Sequence, residues 1–167
     1  MNYTSAEAAK LLRKLNEEKD ALADMEQQSC YFFASLGEDV ESVRPEYDYH
    51  AVQEQLAAIE AKIRKVKHII NLFNVNHTVP GFDMTIDQML VYIPQLSQQK
   101  QKLYRMKNRL PKQRQALGGS TAVIDYNYAN YDIAKAKEDY QRISDELSKA
   151  QTALDVINST ETMEIDL

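Results

Sequence analysis

The side chains in this chain that are able to do chemistry are few and widely separated. His50, His68 and His77 are its only histidines. None has a glutamate three residues before it, so the Glu-x-x-His pairs that hold a two-metal centre in a four-helix core are missing. The three also fall at different heights along one expected helix and its end, a poor arrangement for ligands that must converge on a single ion. Cys30 is the single cysteine, which excludes an intrachain disulfide and a zinc cluster built on several thiolates. With Tyr31, Phe32 and Phe33 beside it and no adjacent base, it reads as a small buried hydrophobe and not as a nucleophile. Gly118-Gly119 lacks the further glycines and the Lys-Ser/Thr ending of a phosphate loop, so it reads as a turn. No Ser-His-Asp grouping or hydrolase elbow appears. The expectation is a protein that is not an enzyme, with no catalytic residue, cofactor or metal.

One charge feature stands out. Lys100, Lys102, Arg105, Lys107, Arg109, Lys112 and Arg114 follow one another with no acid between Asp87 and Asp125. Nucleic-acid phosphates are attracted to such a stretch, and a nucleic-acid accessory role is the alternative reading it supports. The preferred reading is structural. Cations near a helix C-terminus complement its dipole, and Glu138, Asp139, Asp145 and Glu146 on the next helix are available as ion-pair partners. The spacing also spreads the seven around the helix. For the whole chain, 25 acidic against 20 basic side chains give a formal charge of −5, which argues against composition-driven binding to nucleic acid or anionic lipid.

The elements that must carry these residues are long helices. Val52, Leu56, Ile59, Ile63, Val66, Ile70 and Phe73 alternate at spacings of four and three, the signature of an apolar seam. Ile133, Ala136, Tyr140, Ile143, Leu147, Ala150, Leu154 and Ile157 repeat it. A first helix is expected from Thr4, matched with Glu7 in a capping box, to about Gln28; Glu18 interrupts its stripe of Ala8, Leu11, Leu15, Leu22 and Met25. The second runs from about Asp48 to Val75. A third starts at Asp83 or at Thr85, the latter matched with Gln88, kinks near Leu90 to Pro94, and is closed by Pro111 and Gly118-Gly119. The fourth runs from Asn130, as N-cap, to about Asn158. The residues after it, 161–167, form an acidic tail expected to fray. The fold class is thus all-α, an antiparallel four-helix bundle in one domain over 1–160.

Two connections look strand-like, CYFFASL from Cys30 and AVIDYNY from Ala122, and are expected to pair as a small β cap at one end of the bundle. Tyr31, Phe32, Phe33, Tyr47, Tyr49, Tyr126, Tyr128 and Tyr131 would gather there. That aromatic end either seals the core or serves as a contact surface, through Tyr31, Phe33, Tyr47, Tyr49, Tyr126, Tyr128 and Tyr131. No stretch approaches the roughly 20 apolar residues needed to span a bilayer, and the N-terminus has no uninterrupted apolar run of a secretory leader. A cytoplasmic setting is expected.

The segment IINLFNVNHTVPGFDMTIDQML, followed by a long helix, the AVIDYNY strand and the closing QTALDVINSTETMEIDL, resembles a family of bacterial helical proteins labelled septicolysin-like, over residues 50–167. The resemblance implies a helical-hairpin fold with assembly into oligomers, and defines no functional residues. The cytolysin label would imply membrane attack, which the residues give little support. The expected function is noncatalytic self-assembly or partner binding, with a homo-oligomer as the expected state.

Overall fold

A computed structural model describes residues 1–115 and 125–167. Among these residues the chain is mostly helical, with two small antiparallel strand pairs. The helices are α1 (Ser5–Ser29), α2 (Val40–Val43), α3 (Tyr49–Asn76), α4 (Ile86–Lys107) and α5 (Ile133–Thr160). The strands are β1 (Asn2–Thr4), β2 (Lys112–Arg114), β3 (Tyr126–Tyr128) and β4 (Thr162–Glu164). The chain divides into two compact units, one made of Met1–Asn76 with Ile157–Leu167 and the other of His77–Val156.

In the first unit, α1 begins where its capping residues require. The Thr4 hydroxyl oxygen accepts the Glu7 N–H at 3.4 Å, and the Glu7 carboxylate accepts the Thr4 N–H at 2.8 Å. Two orphan amides of the first turn are satisfied at once. Those hydrogen bonds from Thr4 also hold the Glu7 carboxyl below its ordinary range. Only Ala8 and Leu15 are buried on α1, while Glu18 is exposed beside Lys14 and Met25 reaches solvent. The interrupted stripe therefore makes a thin contact face. On α3 the seam holds throughout: Val52, Ile63, Val66 and Phe73 are buried, and Leu56, Ile59 and Ile70 are half-buried. Asp48 starts it, its carboxylate accepting the Ala51 N–H at 3.1 Å. Helices α1 and α3 pack on each other, with Glu26 near the end of α1 bound to Gln53 near the start of α3, so the chain reverses direction between them.

The closing residues do not fray. β4 pairs antiparallel with β1, Tyr3 opposite Met163, and the Ile165 N–H donates to the Met1 carbonyl at 2.9 Å. The physical reason is a period-two pattern inside an acidic segment: Met163 and Ile165 are buried, while Thr162, Glu164 and Asp166 face out. Two apolar side chains outweigh the charge of their neighbours, because those neighbours never leave water.

In the second unit, Thr85 and Gln88 form the other capping box, with bonds of 2.9 and 3.4 Å. Gly81, at φ 81°, turns the chain in the left-handed region just before it, and the Val79 N–H closes that turn on the Met84 carbonyl at 2.8 Å. Helix α4 runs through Pro94 without interruption. Proline removes the donor that the Leu90 carbonyl would use, but Leu90 is exposed and solvent can replace it. The helix stops at Lys107, earlier than Pro111, because the chain enters β2. At the start of α5 the cap is Asp132 and not Asn130: its carboxylate accepts the N–H groups of Ala134 and Lys135 at 2.8 and 3.2 Å. The seam of α5 is covered, with Ala136, Ile143, Leu147, Ala150 and Leu154 buried in this unit and Ile157 buried in the first. Contacts that pair Tyr92 with Glu146 and Met106 with Tyr131 make α4 and α5 antiparallel.

The β cap is corrected in its pairing. Tyr126–Tyr128 is a strand, but it pairs with β2, Lys112 opposite Tyr128 and Arg114 opposite Tyr126. Residues 30–36 form no strand. A hairpin between neighbouring segments closes a shorter loop than one spanning most of the chain, so its entropic cost is lower. The Gly118-Gly119 turn and the start of AVIDYNY, Ala122 to Ile124, lie outside the described residues.

Docking of the C-terminal strand has a measurable consequence. Replacing the buried Ile165 by alanine is expected to destabilise the fold by about 2–5 kcal/mol in denaturant unfolding. The same change at exposed Leu167 should stay within about 0.5 kcal/mol; equal small effects would mean that the tail does not pack.

Candidate functional site

The aromatic residues expected at one end fall into both units. Tyr31, Phe32, Phe33, Tyr47 and Tyr49 belong to the first, and Tyr126, Tyr128 and Tyr131 to the second. In the first unit, α1 ends at Ser29 and the chain leaves into an open loop whose turn uses Gly37 at φ 88°. Tyr31 is 86% exposed, Phe33 98% and Leu36 fully exposed. Phe32 points the other way and is half-buried, with the Arg44 guanidinium 5.2 Å from its ring centre. Cys30 is exposed and not buried, since it caps the helix end where no second layer covers it. Leu36 had no sequence signal beyond an apolar type before a glycine.

Tyr47 and Tyr49 behave differently from the loop. The Tyr47 hydroxyl donates to the Glu26 carboxylate at 2.7 Å, and the Gln53 amide donates to the same oxygen at 2.7 Å. This hydrogen bond, aided by desolvation, pushes the Tyr47 phenol up to about 12. Tyr47 thus fastens the hairpin and is not a free contact residue. Tyr49 is exposed, its ring edge-on to His50.

The second unit carries the basic stretch. Lys102 and Arg105 lie about 60° apart at 100° per residue on one face of α4, and Arg109 follows just past the helix end. With Gln98, Gln101, Met106 and Tyr131 they line an open groove of about 510 Å³. The Tyr131 hydroxyl donates to the Met106 carbonyl at 2.8 Å, which holds its ring at the groove. On the opposite face, the Lys107 ammonium sits 3.6 Å from the centre of the Tyr140 ring, with Lys100 at 6.0 Å and Tyr104 alongside. Lys112 on β2 lies 4.1 Å from the Tyr126 ring centre and 5.4 Å from that of Tyr128. Tyr104 and Tyr140 were missed as site residues, because seam spacing alone does not show which cation will reach a ring.

The expected ion pairs to α5 are not formed. Among the described residues, none of Lys100, Lys102, Arg105, Lys107, Arg109, Lys112 and Arg114 has a carboxylate within 4 Å. The acids of α5 are engaged elsewhere. Glu138 and Asp139 pair with Lys135, and Asp139 also with Arg142. Asp145 accepts from the Gln141 amide, and Glu146 accepts from the Tyr92 hydroxyl, which raises the Tyr92 phenol above its ordinary range. A partner three or four residues away on the same helix is reached at a smaller cost in side-chain entropy than one on another helix.

Among the described residues no group of three or more His, Cys, Asp or Glu side chains is placed to hold a metal ion. His50 and His68 are exposed. No helix is long and apolar enough to cross a membrane, again among the described residues.

No family model and no curated protein matches the chain. Its fold is similar to the crystal structure of a functionally unknown conserved protein from Corynebacterium diphtheriae, at a TM-score of 0.64 and 14% identity, over 98% of this chain and 100% of that one. At that identity the likeness shows a shared fold alone.

The Tyr47–Glu26 bond makes stability pH-dependent in a defined window. The folded phenol titrates near 12 and the unfolded one near 10. Its contribution is therefore fully present below about pH 10 and is lost as the pH rises towards 12. Tyr47→Phe should remove one late phase from the tyrosinate absorbance titration, leaving that of Tyr92, and should flatten the fall of stability across this window. Loss of amplitude near pH 10 with the late phase left intact would refute the bond.

Proposed function

We propose that the protein is noncatalytic and acts in the cytoplasm by self-association, with the apolar loop of its first unit as the main contact. The observation that carries this reading is the exposure of Tyr31, Phe33 and Leu36 within six residues on one loop. Solvent-facing apolar groups at this density favour an interface, since covering a large apolar side chain returns about 1.5–3 kcal/mol. Further apolar side chains lie open on the helices, Leu72 and Val75 on α3 and Leu90 and Val91 on α4. The four-helix bundle expected from the seams is carried into this proposal as its scaffold. A second copy is the occupant that the regular seams favour, because helical hairpins with open apolar edges are self-complementary in chemistry.

The test is sedimentation velocity over a wide concentration range. The native chain should associate reversibly, and Phe33→Ser or Leu36→Ser should each weaken association about tenfold or more. Both are surface changes, so the melting temperature should barely move. A strict monomer at high concentration would end the self-association reading.

A further inference from the structure

We propose that the C-terminal end of α4, with the paired strands β2 and β3, is a binding surface for a single-stranded polynucleotide. Its first part is the groove at the end of α4, lined by Lys102 and Arg105 of the helix and by Arg109 just past it. Its second part is the β2–β3 strand pair, where Tyr126 and Tyr128 stand 44% and 66% exposed, their centroids 6.5 Å apart, with the Lys112 ammonium over both rings. The two parts are stitched together. The Ala129 N–H donates to the Pro111 carbonyl at 3.0 Å, and the Tyr131 hydroxyl donates to the end of α4, so the rings and the groove belong to one stretch of surface.

Charge complementarity decides the class of ligand. Residues 88–115 contain no acid, and no carboxylate among the described residues lies within 4 Å of these cations. The formal charge of −5 for the whole chain does not cancel them locally, because screening confines each charge to about 10 Å at 0.1 M salt. Cations of this kind satisfy any polyanion. Open tyrosine rings beside them narrow the choice, since exposed aromatic faces stack on unpaired bases while lysine and arginine track the phosphates. A duplex hides its base faces, and an acidic peptide has none. The reading stands apart from self-association through the first unit, which uses different residues.

The experiment is a fluorescence-anisotropy titration of the full chain with labelled oligothymidylate at several salt concentrations. Binding should weaken steeply with salt. Combined Lys102→Ala, Arg105→Ala and Arg109→Ala should lower the magnitude of the log–log salt slope by about two, at about 0.7 per lost phosphate contact. Tyr126→Ser with Tyr128→Ser should weaken binding about thirtyfold or more while leaving the slope nearly unchanged, which separates stacking from charge. Circular dichroism melts of each variant verify that the fold is intact, and the two variant sets report independently if one of them unfolds. Absence of salt-dependent binding by the native chain overturns the proposal. So does tighter binding of a duplex, or poly-glutamate binding as tightly as the oligonucleotide with the tyrosine variants silent; the last result assigns the surface to acidic protein segments.

Discussion

Each long helix carries an apolar stripe that water will not tolerate, and covering those stripes is the constraint on which the rest of the molecule depends. Val66, Met89 and Ala150 are wholly buried, Leu96 nearly so, and no polar or charged residue is buried among the described residues. The alanines at 8, 136 and 150 leave room for close approach where larger side chains would hold neighbours apart.

The surface is sorted by reach. Acids of α5 are satisfied by cations or amides on their own helix, and the Glu146 carboxylate is taken by Tyr92. That leaves the cations at the end of α4 with tyrosine rings and solvent as their company. The same economy shapes the first unit, where Glu26 is committed to Tyr47 and Gln53 while the loop beyond Cys30 gains nothing by folding back. Local pairing thus creates two unsatisfied regions of opposite chemistry, an apolar loop in one unit and a cationic aromatic face in the other.

Much of this was legible in advance, and for a shared reason. Thr4 with Glu7 and Thr85 with Gln88 close their bonds within a single turn, so the residues alone place the first helix start and narrow the other to Asp83 or Thr85, of which the structure takes Thr85. The seams of α3 and α5 repeat over many turns, so a single irregular position does not hide them. The weak stripe of α1 was visible at Glu18 for the same reason. Where the reading went astray, the deciding contact lay far off along the chain. Met163 and Ile165 dock because β1 lies at the other terminus, and Cys30 is exposed because nothing reaches the end of α1 to cover it. The basic stretch was legible as charge, yet its lack of ion pairs depended on what the acids of α5 chose instead.

Spacing and residue type by themselves determined the long helices, their capped starts and the faces they bury, because those properties arise within a few residues of each other. Tertiary structure alone decided which strands pair, that the acidic C-terminus is docked, and which tyrosines and cations share a surface. Those outcomes depend on competition among distant segments for the same partners, and the local sequence holds no record of who wins.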